Sequence, residues 1–251
     1  MSHVDTFDPK PELVKQHGKE IPNEHPETKN RPGYEKIFLK RPQWTFQPHG
    51  RCGTEVSSLF PHMAGCVDDI AVIRSMHTSH SNHYNATLGM HTGSFAFARP
   101  SIGSWVTYGL GTLNRNLPGF VVIAPKQTYA GTQVYASDFL PGAHQGTLVV
   151  WTTEFGRTPF NNTADAKGRE HHPWAFSSWL AGGGVKPGIV HGGTDEIGLR
   201  AVDKPVHVRD FHATILHLMG FNHERLTFRH AGLDFRLTGV EPARVVQDIL
   251  A

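Results

Sequence analysis

One apolar run in the sequence ends at residues whose types suit a metal ion or an anion. The run "TLVVWTTEF" carries Glu154 near its end, Arg157 follows, and a polar loop then leads to the adjacent histidines His171 and His172. A carboxylate with imidazoles suits a borderline divalent ion such as zinc, manganese or iron. A guanidinium can hold an anion in a bidentate manner. The alternative is that Glu154 pairs with Arg157 and that the histidines are exposed.

A second polar cluster follows another apolar run. The segment "RSMHTSHSNHYNATLGMHTG" places three histidines among hydroxyl residues just before a helix-like stretch: His77, His80, His83, Thr78, Ser79 and Ser81. A helix N-terminus attracts anions, and a hydroxyl there can serve as a nucleophile. Each histidine taken alone also fits an ordinary surface or core side chain.

Composition excludes several classes of protein. The chain has 251 residues, of which 38% are hydrophobic and 18% charged, so we predict one soluble globular domain with appendages. A net charge of +2 without a basic stripe argues against a nucleic-acid partner. No apolar run is long enough for a membrane span, and no signal peptide is evident, which predicts a cytoplasmic chain as written. The 18 histidines point to metal or proton chemistry.

The elements that must position these residues alternate between helix and strand. Strands are predicted at "IAVIRSM", "FVVIAP" and "TLVVWTTEF", and helices at 54–66, "NHYNATLGMHTG", "IGSWVTYGLG" and "DFHATILHLMGF". "AFSSWLAGGG" fits a strand or a short helix. Near-continuous apolar strands predict a parallel sheet flanked by helices. We expect 8–50 to be an irregular surface extension, 51–146 the first part of the core and 147–251 the second.

The two polar clusters belong at one edge of such a sheet. In open parallel sheets ligands bind outside the carboxyl ends of the strands, and both clusters follow predicted strands. The loop from Gly156 to Glu170 is longer than most connections, which is typical of functional loops. Asp195 and Glu196, in a Gly-rich loop, either reach this site or form a solvated turn. His212 and His217 do not share a helix face, so we interpret them as structural.

Several motifs together resemble the bacterial DUF1501 family. They include "SHVDTFDPKPEL", "DDIAVIRSMHT", "RPSIGSWVTYGLG", "VVWTTEFGRTP", "GREHHP" and "WLAGGGVKPG", followed by the C-terminal "RDFHATILHLMGFNHERLTFRHAGLDFRLTGV". The resemblance covers nearly the whole chain. It implies membership of the alkaline phosphatase/sulfatase-like superfamily, with a three-layer α/β/α sandwich around a mostly parallel sheet. It also implies metal-dependent hydrolysis of sulfate or phosphate esters, and a family often exported from the cytoplasm.

Superfamily chemistry can be carried over by position. The resemblance implies metal ligands at Asp5 (with Asp8 a weaker choice), Glu154, His171 and His172, and a nucleophile within Ser79 to His83. We take Ser81, His83 and Arg157 as catalytic candidates, with Arg157 on the anion. The expected cofactor is a divalent zinc, manganese or iron ion. The substrate would be a small-molecule or polysaccharide ester, and the oligomeric state stays open.

The sequence also departs from the resembled pattern. The Cys/Ser-x-Pro-x-Arg signature of formylglycine sulfatases is missing, and Phe155 offers no ligand where the superfamily usually has one. The strand expected before Asp5 is absent, and the connection between "FVVIAP" and "TLVVWTTEF" lacks a convincing helix. We therefore predict an incomplete sandwich, shortened at the N-terminus and at a junction near Gly146 and Thr147. A non-catalytic metal- or ligand-binding relative is the alternative function.

Overall fold

The computed structural model describes residues 2–26, 28–110, 128–140, 150–163, 165, 167–181 and 184–251. Within these ranges the α-helices are α1 (Pro11–Lys15), α2 (His83–Thr92), α3 (Ile102–Leu110) and α4 (Val208–Leu218). Short 3-10 helices occupy His3–Asp5, Met63–Asp69, Gly131–Val134 and Gln247–Ile249. None of the helices described is both long and apolar enough to cross a bilayer.

The strands are short, and they are numbered here in chain order. They are β1 (Glu20–Pro22), β2 (Lys36–Leu39), β3 (Phe46–His49), β4 (Thr54–Ser57), β5 (Ala71–His77), β6 (Val150–Trp151), β7 (Gly156–Arg157), β8 (Phe160–Asn161), β9 (His171–His172), β10 (Phe176–Leu180), β11 (Ile189–His191), β12 (Gly193–Thr194), β13 (Ala201–Asp203), β14 (Val206–His207), β15 (Phe228–His230) and β16 (Leu233–Phe235).

The chain folds into two compact units, each assembled from three segments. Unit 1 comprises Met1–His77, Phe155–Ser178 and Pro187–Pro205. Unit 2 comprises Thr78–Glu154, Trp179–Lys186 and Val206–Ala251. Strand β10 begins in unit 1 and ends in unit 2.

Unit 1 is built largely from antiparallel pairs. β2 lies between β1 and β8, while β3 pairs with β4, β7 with β9, and β12 with β13. Short connections such as the one between β3 and β4 favour this arrangement, because parallel neighbours need a longer crossover. The segment 8–50 contributes α1 and the first three strands to this unit, and its Leu13 and Leu39 are fully buried with Val4.

Unit 1 also contains a parallel pair of strands. β5 is buried along almost its whole length, as expected for "IAVIRSM", and β11 runs parallel to it with Val190 opposite Val72. In unit 2 the end of β10 pairs antiparallel with β6, with Trp179 opposite Trp151. The sheet that contains these strands is therefore mixed.

The predicted mostly parallel three-layer α/β/α sandwich is wrong. Of the sheets in the described part of the chain, one is mixed and the others are small and antiparallel. The prediction placed a helix at 54–66, but Thr54–Ser57 pairs as a hairpin strand with β3, and the 3-10 helix Met63–Asp69 follows. Cross-strand pairing of residues 46–49 with 54–57 thus overrides the local helix-like pattern.

Other predicted elements are found. The predicted strand at 70–76 is β5, the helices at 82–93 and 102–111 are α2 and α3, and the segment after the polar loop forms strand β10. Helix α4 begins two residues earlier than predicted. Its N-cap is His207, whose backbone N–H donates to the carboxylate of Asp210 at 3.4 Å. The predicted strand "FVVIAP" and the junction near Gly146 lie outside the described residues.

Unit 2 packs its helices around an apolar cluster. The buried members are Trp105 and Val106 of α3, Leu216 of α4, Leu140 and Leu237. Helix α2 ends at Gly93, which has a φ of 71° and lies against the backbone of Leu237. A methyl group at Gly93 would lie 1.7 Å from the carbonyl oxygen of Leu237, so the site requires glycine for two independent reasons.

Comparing Gly93→Ala with Gly220→Ala separates these two reasons. Gly220 also has a positive φ, 83°, but no atom lies within 4 Å of the position that a methyl group would occupy there. We expect a loss of about 1–2 kcal/mol from backbone strain at Gly220 and a clearly larger loss at Gly93, where steric overlap is added. Urea unfolding measures both values. Equal losses would contradict the close approach of Gly93 to Leu237.

Candidate functional site

A histidine and a carboxylate from different parts of the sequence meet in unit 2. His83 is the first residue of α2, and the side chain of Asn82 caps this helix by accepting from the backbone N–H of Tyr84 and Asn85. Glu154 follows β6. Its Oε1 lies 2.8 Å from Nδ1 of His83, and both side chains are partly exposed. Glu154 thus pairs with His83, a partner that the sequence did not indicate.

The geometry fixes the tautomer of His83. A carboxylate only accepts hydrogen bonds, so Nδ1 of His83 donates its proton to Glu154, and the lone pair of the neutral ring is on Nε2. The ring of Tyr129 stacks on that of His83, with centroids 4.2 Å apart and planes 13° apart. Such a carboxylate-oriented imidazole is the arrangement of a general base.

Glu154 also acts on a second histidine of α2. His91 lies two turns after His83, and burial lowers its pKa to about 4, while the charge of Glu154 opposes this shift. His91 is thus neutral near neutral pH.

The serine residues before α2 differ in their side-chain hydrogen bonds. The Oγ of Ser79 lies 3.0 Å from Nε2 of His207. Because Nδ1 of His207 accepts the backbone N–H of Arg209, the neutral ring carries its proton on Nε2 and donates it to Ser79. His207 therefore cannot deprotonate Ser79. Ser81 makes no side-chain hydrogen bond to the described residues and stays partly exposed, which leaves it as the better nucleophile candidate.

Unit 1 brings together the two motifs on either side of the polar loop. In the antiparallel pair of β7 with β9, Arg157 lies opposite His171 and Gly156 lies opposite His172. Gly156 has no space for a side chain, because a methyl group there would be 2.0 Å from the carbonyl oxygen of Ala175. The sequence predicted proximity of these residues, although it did not predict the pairing.

The guanidinium of Arg157 contacts other residues of unit 1. Its Nη1 donates to the carbonyl oxygen of Arg169 at 3.4 Å, and its guanidinium lies 5.9 Å from the centre of the Phe155 ring. His171 also contacts Phe155, with ring centroids 4.8 Å apart. A half-buried guanidinium with one weak carbonyl contact retains donors for an anion.

His172 belongs to a buried cluster of histidines that sequence reasoning missed. Its Nδ1 lies 3.3 Å from Nε2 of His25, and its ring stacks on that of His3 with centroids 5.9 Å apart. Burial lowers the pKa of His3 and of His25 to about 4 and that of His172 well below its ordinary value. All three rings are therefore neutral near neutral pH. No local spacing pattern connects positions 3, 25 and 172.

Asp5 is bound by an arginine. Nε of Arg169 lies 2.8 Å from its Oδ2, Nη2 lies 3.3 Å from its Oδ1, and the backbone N–H of Gln43 donates to Oδ1 at 3.0 Å. Both side chains are almost fully buried. Asp8, the weaker choice, accepts from Thr194 and pairs with Lys10. Both carboxylates thus have cationic or donor partners within unit 1.

The predicted metal ligands are divided between the two units. Asp5, His171 and His172 belong to unit 1, whereas Glu154 belongs to unit 2. Among the described residues, no group of three or more histidine, cysteine, aspartate or glutamate side chains has an arrangement that would hold a metal ion. Asp195 accepts the backbone N–H groups of Ile197 and Leu199, which gives it a turn-forming role.

The chain belongs to the DUF1501 family, described as proteins of unknown function. The sequence profile of this family matches residues 1–147 and 142–250. This finding confirms the family resemblance drawn from the motifs. No curated protein and no solved structure matches the chain.

We predict that Asp5→Ala lowers stability without changing metal content. Removing the carboxylate leaves the Arg169 charge buried and uncompensated, which costs about 3–5 kcal/mol. Adding Arg169→Met should restore part of this loss. Urea unfolding gives the stability, and elemental mass spectrometry gives bound metal per chain. Loss of stoichiometric metal in folded Asp5→Ala would instead make Asp5 a ligand.

The buried histidines predict a loss of stability in acid. His3 and His212 have a pKa of about 4 in the fold because of burial, against an ordinary value of 6.5. The unfolded chain therefore takes up protons first, and stability present above pH 6.5 is lost as the pH falls towards 4. We expect a loss of about 2 kcal/mol per histidine between pH 7 and pH 5. Urea unfolding between pH 7 and pH 5 measures the free energy of unfolding. His212→Gln should make that free energy depend less steeply on pH. A free energy of unfolding that stays constant over this range would contradict the prediction.

Proposed function

We propose that the protein hydrolyses phosphate or sulfate esters and that the pair of His83 and Glu154 is its proton-transfer group. The supporting observation is the 2.8 Å contact between Nδ1 of His83 and Oε1 of Glu154 at the start of a capped helix. A general base needs an accepting nitrogen and a group that holds it in the correct tautomer. The class of substrate comes from the superfamily resemblance and covers small-molecule and polysaccharide esters.

The proposed reaction uses residues of unit 2 alone. Nε2 of His83 takes the proton of the Ser81 hydroxyl while Oγ of Ser81 attacks the phosphorus or sulfur atom. The bond to the ester oxygen breaks, and that oxygen leaves with the proton from His83. His83 then takes a proton from a water molecule, and the water oxygen attacks the phosphorus or sulfur atom of the covalent intermediate. The bond to Oγ of Ser81 breaks, and His83 gives the proton to that oxygen. Glu154 stabilises the imidazolium that forms in each step.

Metal dependence forms a separate part of the proposal. The family resemblance implies zinc, manganese or iron, with Glu154, His171 and His172 as ligands. Asp5 is left out because of its ion pair with Arg169. No step above uses a metal, since the described residues do not form a ready site. The anion-binding role of Arg157, which belongs to unit 1, likewise rests on the resemblance.

A non-catalytic ligand-binding relative is the second candidate. The observation that favours it is the buried ion pair of Asp5, the first acidic position of the family motif, with Arg169. The two candidates differ in a measurable way. A binding protein would show ligand or metal affinity without turnover of any ester.

The decisive experiment compares turnover of aryl phosphate and aryl sulfate by wild type and three variants. We expect Glu154→Gln, His83→Asn and Ser81→Ala each to lower kcat by about 10²–10⁴-fold, because each removes one part of the proton-transfer scheme. Glu20→Gln, an exposed carboxylate in unit 1, is the matched control and should keep full activity. Assays with and without a chelator test metal dependence.

Each outcome has a distinct meaning. Activity that persists in Glu154→Gln and His83→Asn would disprove the proton-transfer assignment. If Ser81→Ala loses activity and added metal restores it, the attacking nucleophile is water rather than Ser81. A folded wild-type chain without turnover across both esters would support the binding relative.

A further inference from the structure

An open groove in unit 1 concentrates positive charge. It has a volume of about 1090 Å³ and is walled by α1 with its flanking residues, by the connection from β2 to β3, and by residues 165 and 167. Its lining contains one acidic side chain, Asp165, and five cationic ones: Lys10, Lys15, Lys40, Arg41 and Lys167. The groove thus carries a local positive charge although the chain as a whole is nearly neutral.

Two of these cations remain available to a ligand. Lys15 pairs with Glu12 at 2.7 Å, and Lys10 is similarly neutralised by an aspartate. Lys40 is buried and its Nζ donates to the carbonyl oxygen of Gly168 at 3.4 Å. By contrast, no ion pair of Arg41 or Lys167 is found among the described residues.

An exposed tryptophan lies in the same wall. The side chain of Trp44 is 37% exposed, and none of the described aromatic rings stacks on it. A partly exposed indole in a groove offers a flat apolar face that a ligand can cover. The flat face of an indole packs well against the C–H face of a pyranose ring.

The wall that carries these groups is held in place before any ligand binds. The backbone N–H of Gln43 donates to Asp5, and Nη2 of Arg169 donates to the carbonyl oxygen of Arg41 at 3.0 Å. The side-chain Nε2 of Gln43 donates to the carbonyl oxygen of Lys167 at 3.2 Å, which joins the two walls. A groove ordered in this way loses little conformational entropy on binding.

We infer that this groove binds an acidic oligosaccharide. Arg41 and Lys167 contact its sulfate or carboxylate groups, and Trp44 packs against one of its sugar rings. A nucleic acid would need a longer basic track for its regularly spaced phosphates, and a run of aspartate and glutamate side chains offers no flat apolar ring face for the indole. The inference does not rest on the proposed hydrolysis, and binding should persist in Glu154→Gln.

The test is calorimetric titration of the full chain with a heparin-derived hexasaccharide. We expect the Kd to rise about tenfold in Trp44→Ala and about tenfold in the double variant Arg41→Ala/Lys167→Ala. Trp44→Phe, which retains an aromatic face, should lose less. The double variant Lys29→Ala/Lys186→Ala removes two exposed cations elsewhere and should bind as wild type does. Rising salt should weaken binding, because the charge contacts are exposed.

A neutral sugar and an acidic peptide test which chemical groups of a ligand the groove recognises. Maltohexaose should bind much more weakly than the sulfated hexasaccharide, and hexaglutamate should bind more weakly and without sensitivity to Trp44→Ala. Equal affinity for maltohexaose would overturn the role of charge. Equal affinity for hexaglutamate, no detectable binding of the hexasaccharide, or an equal loss in the control double variant would overturn the inference. Thermal unfolding of each variant confirms that the chain tested is folded.

Discussion

The buried ion pair between Asp5 and Arg169 organises unit 1. These residues are far apart in sequence, yet the guanidinium contacts the carboxylate of Asp5 and the carbonyl oxygens of Thr158, Lys40 and Arg41. Two charges removed from water must satisfy each other and their remaining donors, so each segment is held in one position. The same contacts order the wall of the basic groove. The family resemblance implies a metal ligand at Asp5, and in the fold its carboxylate pairs with Arg169.

Burial also decides what the abundant histidines do. His3, His25 and His172 pack together in unit 1, and His212 in α4 lies 2.7 Å from the carbonyl oxygen of Met90 in unit 2. Desolvation disfavours the charged imidazolium and lowers the pKa of each ring. A high histidine content therefore serves packing as well as chemistry. The partly exposed His83, which has a carboxylate partner, is the histidine best arranged for proton transfer.

The sequence predicted parts of the candidate site better than the sheet that was expected to carry it. Glu154 and His83 were both singled out, because a polar residue at the end of an apolar strand or the start of a helix suits ligand chemistry. Their direct pairing was not predicted, since positions 83 and 154 have no periodic relation. The mostly parallel sheet was inferred from apolar runs, and such runs do not specify the neighbouring strand. The antiparallel pairs follow from short connections and cross-strand contacts.

The sequence by itself determined the local elements and the family. Apolar runs and helical spacing are properties of neighbouring residues, so β5, α2, α3 and most of α4 were predictable, and the motifs identified DUF1501. Only the tertiary structure decided the partners: Asp5 with Arg169, Glu154 with His83, and His172 with His25. These contacts join residues separated by many positions, and their strength depends on removal from water. Desolvation and long-range charge pairing have no signature in a local stretch of sequence.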